Sequence, residues 1–140
     1  MYMMNDPSEA RQPYFDAWAK FKQQQPLTDL EKQLVQVMLD HPEYHFIFEK
    51  PEKYLDGEYL TEEKTNPFMH LAVHLVIRDQ VMLDNPKGIR QVFAALSSRF
   101  GDPLVAEHEM MSCLSEVLWR VLKKGEQFNE SQYMRDLKAI

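Results

Sequence analysis

His41-Pro42, Asn66-Pro67, Asn85-Pro86 and Asp102-Pro103 each set a polar or capping residue directly before a proline. Proline suits the first position of a helix, where the backbone N–H has no intrahelical partner and the fixed φ is already helical. The residue before it is pushed out of the helical region and can cap. Each dipeptide therefore predicts a helix start. No segment shows the alternation of a strand, so a chain punctuated in this way folds as packed helices.

Between these marks the apolar residues recur at helical spacing. A first helix is predicted from Pro13 to Gln24, carrying Tyr14, Phe15, Trp18 and Phe21, with residues 1–12 a flexible N-terminal segment. The next opens at Thr28, which forms a capping box with Glu31. Its stripe is Leu30, Leu34, Val37 and Met38, and it stops before His41-Pro42. A short helix is predicted from Pro42 to Lys50, ended by Pro51, then a polar connection from Glu52 to Thr65 with a turn at Asp56-Gly57. Further helices are predicted over Pro67–Leu83, Pro86–Phe100 and Pro103–Lys124, the last two closed by Gly101 and Gly125, and over Glu130–Leu137. No internal repeat or low-complexity tract interrupts them. The expected fold is all-α, a single domain over residues 1–140 built as an irregular four-helix bundle with additional short helices.

Composition narrows the function. With 140 residues, 44% of them aliphatic, aromatic, Met or Cys, the chain can bury one sizeable core. Its net charge of −6, with 16 basic residues scattered among 22 acidic ones, lacks the clustered cations that a nucleic-acid surface needs. The apolar stretch from Phe68 to Ile77 is too short to cross a bilayer, so no membrane role is expected. The N-terminal residues show no charged region followed by an apolar one, which predicts no secretory signal. One cysteine, Cys113, excludes an internal disulfide framework and fits a reducing cytoplasm, the expected location. The four glycines are too far apart to cradle a nucleotide, so no nucleotide cofactor is expected.

The residues that carry chemistry are histidines. His70 and His74 stand four apart, on one stripe with Ile77 and Val81, in a helix whose other positions are so apolar that it reads as buried nearly all round. Two rings one turn apart can reach a single ion. On the helix from Pro103, Glu107 falls inside the apolar face, while Glu109, Glu116 and Arg120 take the polar side and His108 the border. A buried carboxylate needs a partner. Two histidines and a carboxylate suit iron, zinc, nickel or manganese, so His70, His74 and Glu107 are the expected ligands, with His108 a fourth ligand or an orienting group. His41 and His45, in "HPEYH", would lie nearby as a further ligand or a proton-handling pair. Against this stands a plainer reading. His70 and His74 would be core histidines bonded to carbonyls, a tyrosine or Glu107, with Glu107 an ion-pair partner of Arg78 or Arg90, His41 and His45 a helix start and a packed ring, and Cys113 a small buried hydrophobe. "HLAVH" is not H-E-x-x-H, because Leu71 stands where a zinc protease keeps its general base, and no Glu-x-x-His occurs.

The stretches "HPEYH", "NPFMHLAVHLVIRDQ", "DNPKGI" and "AEHEMMSCLSEVLW" resemble a family of short, uncharacterised bacterial proteins filed as a domain of unknown function. The resemblance runs from about Leu27 to the C-terminus and implies that the three histidine clusters belong to one signature, with no activity attached. A weaker likeness is to hemerythrin-type bundles, whose order of H-x-x-x-E, H-x-x-x-H and a later histidine is echoed by His45/Glu49, His70/His74 and His108. Here, however, the short helix ends at Pro51, and no carboxylate lies five residues beyond His108. Another weak likeness is to nickel- or zinc-binding bundles that join an H-x-x-x-H pair to a third histidine.

The expectation is a small cytoplasmic helical protein binding one transition-metal ion, its reaction and even its being an enzyme left open. The alternative is a non-catalytic interaction module with structural core histidines, docking a protein partner or a second copy of itself.

Overall fold

The computed structural model describes residues 7–55 and 66–140. The expected turn at Asp56-Gly57 lies outside them. Among the described residues there are eight α-helices, one 3-10 turn and no strand, so the all-α expectation holds. Within residues 1–140 the chain divides into two compact units, Met1–Leu71 and Ala72–Ile140, and the division falls inside one continuous helix, α5 (Pro67–Leu83).

The N-terminal unit begins with α1 (Pro7–Lys22), six residues earlier than expected. Residues 7–12, read as part of a flexible segment, are helical. The sequence carries the signal, since Asp6-Pro7 repeats the arrangement seen at the other starts. Arg11, 8% exposed, explains why this extra turn is held: its Nη1 donates to the carbonyls of Tyr54 and Leu55, and its guanidinium lies 5.0 Å from the Phe68 ring centroid. Helix α2 (Asp29–Leu39) has the expected capping box, Thr28 and Glu31 each accepting the other's backbone N–H. Tyr14, Phe15, Trp18, Phe48 and Phe68 form the aromatic core, with edge-to-face pairs at 5.7 Å (Tyr14–Phe68) and 6.4 Å (Phe15–Phe48). The expected helix Pro42–Lys50 is a 3-10 turn, Pro42–Tyr44, running into α3 (His45–Phe48). Pro51 does not simply end it but opens another short helix, α4 (Pro51–Tyr54).

The C-terminal unit holds the rest of α5, then α6 (Ile89–Phe100), α7 (Pro103–Lys124) and α8 (Glu130–Lys138). Its core contains Ile77, Ile89, Met110, Leu114, Tyr133 and Leu137, with Leu118 and Val81 packed at its margin. Helix α5 starts where Asn66 Oδ1 accepts from the N–H groups of Phe68 and Met69, and α7 where Asp102 Oδ1 accepts from Leu104. Pro86 does not start α6. Asp84 Oδ1 accepts from the N–H groups of Gly88 and Arg90, Gly88 takes a φ of 98°, and the helix begins at Ile89. Helix α5 is not buried nearly all round: Met69, Val76 and Leu83, seven residues apart in turn, are 61%, 43% and 67% exposed. These lie on the solvent-facing side of α5, where the exposed Asp79 stands between Val76 and Leu83.

Candidate metal centre

The end of α2 explains two of the five histidines. A helix leaves its last carbonyls without intrahelical partners. "HPEYH" supplies them with side-chain donors, for His41 Nδ1 lies 2.8 Å from the Val37 carbonyl and His45 Nε2 lies 2.8 Å from the Met38 carbonyl. A carbonyl can only accept, so each of these nitrogens carries the proton. For His41 this leaves Nε2 as the nitrogen with the lone pair when the ring is neutral. That atom is 3.0 Å from His70 Nε2, and the two rings stand edge to face with centroids 4.7 Å apart. Tyr44 stacks on the His41 ring, 5.4 Å between centroids and 4° from parallel. Burial, with the charge of Glu43 adding to it, pushes the Tyr44 phenol up. His41 is 1% exposed.

In the C-terminal unit, His74 is wholly buried and its Nε2 lies 2.6 Å from Glu107 Oε1. Arg78, one turn along α5, donates to the same carboxylate: Nε is 3.3 Å from each oxygen and Nη2 is 3.1 Å from Oε1. Burial works to raise the Glu107 pKa, but the hydrogen bonds from His74 and Arg78 and the charge of Arg78 outweigh it and hold the carboxyl below its ordinary range. The His108 ring sits against His74, 5.0 Å between centroids at 64°.

His70 and His74 are neighbours one turn apart on α5, as expected. One ring nitrogen from each of His41, His70, His74 and His108 lies within 4.8 Å of the others, a cluster that could hold a metal ion. A family model described as Domain of unknown function (DUF1841) matches residues 6–139. The chain belongs to this family. Neither the curated proteins nor the solved structures yield a match. The family match spans all of the histidines, so the candidate centre is part of the domain itself.

The structure sorts the six residues expected at the centre into three groups. His41, His70, His74 and His108 come together. Glu107 faces inward, as the helical projection requires, yet it is engaged by His74 and Arg78 and is not one of the four clustered groups. His45 is not in the cluster either. Its ring packs on Trp18 at 4.6 Å, and its Nε2–H is given to Met38. The orienting acceptor on His41, the Val37 carbonyl, was not foreseen. A histidine four residues after a helical carbonyl at a helix end is the signal that could have found it. Cys113 is partly buried at the edge of the C-terminal core, where burial and then the charges of Asp136 and Glu109 raise its thiol.

Proposed function

We propose that this protein binds a single transition-metal dication through imidazole nitrogens of His41, His70, His74 and His108, with Glu107 outside the ligand set. The observation that supports this most is the convergence of four ring nitrogens within 4.8 Å. Around zinc, with bonds of about 2.0–2.1 Å, tetrahedral nitrogens stand roughly 3.3 Å apart. The His41–His70 separation of 3.0 Å already matches that edge. The Val37 carbonyl keeps the His41 proton on Nδ1, so Nε2 is the atom that would face the ion once it replaces the contact with His70 Nε2.

The donor set narrows the ion. Imidazole suits zinc, nickel, iron and copper, whereas manganese favours oxygen, so of the four ions expected manganese fits least. Four imidazoles around zinc form a closed, structural centre. A six-coordinate ion keeps two positions for water or substrate, and metal-assisted hydrolysis becomes open to it. Protein purified without chelator should contain close to one metal per chain. Protein stripped with chelator should gain thermal stability when Zn²⁺ or Ni²⁺ is restored. No stoichiometric metal, together with an unchanged melting temperature on adding Zn²⁺, Ni²⁺ or Fe²⁺, would refute the proposal.

One observation favours the interaction-module alternative, the exposed Met69, Val76 and Leu83 on α5. Exposed apolar side chains gathered on one side of a helix can meet a partner. Under that reading His70→Ala lowers stability equally with and without metal, and no chelator effect exists to be lost. Among the described residues no helix is long and apolar enough to cross a membrane.

A further inference from the structure

We propose that Glu107 is the positioning residue of this centre: it holds His74 in the tautomer that offers Nδ1 to the metal, and Arg78 holds Glu107 in place to do so. This rests on the metal reading above and assigns Glu107 a part that acts through a histidine instead of on the ion.

The geometry carries the assignment. The carboxylate receives Arg78 Nε at both oxygens and Arg78 Nη2 at Oε1, so it serves as an acceptor throughout. An acceptor 2.6 Å from His74 Nε2 requires the proton on that nitrogen. A neutral imidazole then keeps its lone pair on Nδ1, the atom able to coordinate an ion. The His74 side chain is fully buried and that of Glu107 is 13% exposed, so water competes little for the contact. The arrangement is economical in sequence. Consecutive residues of α7, Glu107 and His108, supply the lock on one clustered histidine and a second clustered histidine. His74 and Arg78, four apart on α5, are the ring that is locked and the side chain that braces the lock. Such outer partners commonly change metal affinity 10–100-fold.

The test uses the full chain, Zn²⁺ titrated against a chromophoric chelator, and long-range ¹H–¹⁵N spectra of the imidazoles in metal-free protein. His74 of the wild type should carry its proton on Nε2, and Glu107→Leu should erase that preference. Glu107→Gln, which keeps the shape if the leucine variant does not fold, should weaken Zn²⁺ about 10–100-fold. Arg78→Met should weaken it less, because the carboxylate stays but is no longer braced. A proton on His74 Nδ1 in the wild type would overturn the assignment, as would Zn²⁺ binding unaltered by Glu107→Gln. Loss of an oxygen donor from the Co²⁺ spectrum of Glu107→Gln would overturn it too, since Glu107 would then be a direct ligand. If the wild type binds no metal at all, the metal reading fails, while the tautomer spectra still decide whether Glu107 orients His74.

Discussion

The two histidines of "HPEYH" do the same structural task, donating to adjacent carbonyls at the end of α2, but only His41 belongs to the cluster. Replacing each in turn therefore separates capping from coordination. His41→Ala and His45→Ala each remove a hydrogen bond to a helix-end carbonyl, costing about 1 kcal/mol, plus the packing of a ring. For His41 the lost packing is against Tyr44 and for His45 against Trp18, so a total of roughly 2–3 kcal/mol is expected for either. With an unfolding entropy of about 2.1 cal/mol/K per residue, the 140-residue chain loses about 7–10 °C in melting temperature either way.

The metal response distinguishes them. At Zn²⁺ fixed at 100 times the wild-type Kd, binding stabilises the native state by about 2.7 kcal/mol, or roughly 9 °C on the same entropy. Removing one of four ligands should weaken binding at least about 100-fold, which leaves about 0.4 kcal/mol, little more than 1 °C. His45→Ala should keep nearly the whole 9 °C. Differential scanning fluorimetry on chelator-treated protein, with and without Zn²⁺, reads both effects in one plate. If His45→Ala lost the response and His41→Ala kept it, the division of labour within this motif would be wrong. If both kept it, His41 would not be a ligand.

Two further outcomes follow from the N-terminal unit. Burial pushes the Tyr14 phenol up to about 12, against an ordinary 10.0, so the folded chain keeps a proton that the unfolded chain gives up. This contribution is whole below pH 10 and is lost as pH rises toward 12, by about 2–3 kcal/mol; urea midpoints of Tyr14→Phe across that window should fall less steeply than those of the wild type, and parallel curves would refute it. Thr28→Ala breaks the capping box with Glu31 and should cost about 1 kcal/mol in urea unfolding with the slope unchanged, while a loss under 0.3 kcal/mol would mean that the cap is not what starts α2.

The parts of this molecule that were legible from sequence are those set by short-range backbone chemistry. Thr28, Asn66 and Asp102 cap their helices with their own side chains, Gly101 and Gly125 end theirs at φ of 74° and 70°, and α5 and α7 run between the expected residues. Asn85-Pro86 failed as a start because a competing acceptor, Asp84, takes the N–H groups of Gly88 and Arg90. Helical projection also told which residues face inward, Glu107 among them. It could not tell what an inward group is spent on, because that depends on the element opposite. The plainer reading, with Glu107 paired to Arg78 and bonded to a core histidine, is what these two contacts match, and His74, expected as a fellow ligand, falls on the Glu107 carboxylate with Arg78. His41 was undervalued for a related reason. Reading His-Pro as a helix start assigns the residue a backbone task and hides that its side chain reaches back four residues to Val37. Residue type and spacing identify imidazoles that can meet, but coordination depends on which nitrogen holds the lone pair. Two acceptors that no ligand motif contains, a carbonyl at the end of α2 and a carboxylate braced by arginine, decide that at His41 and His74.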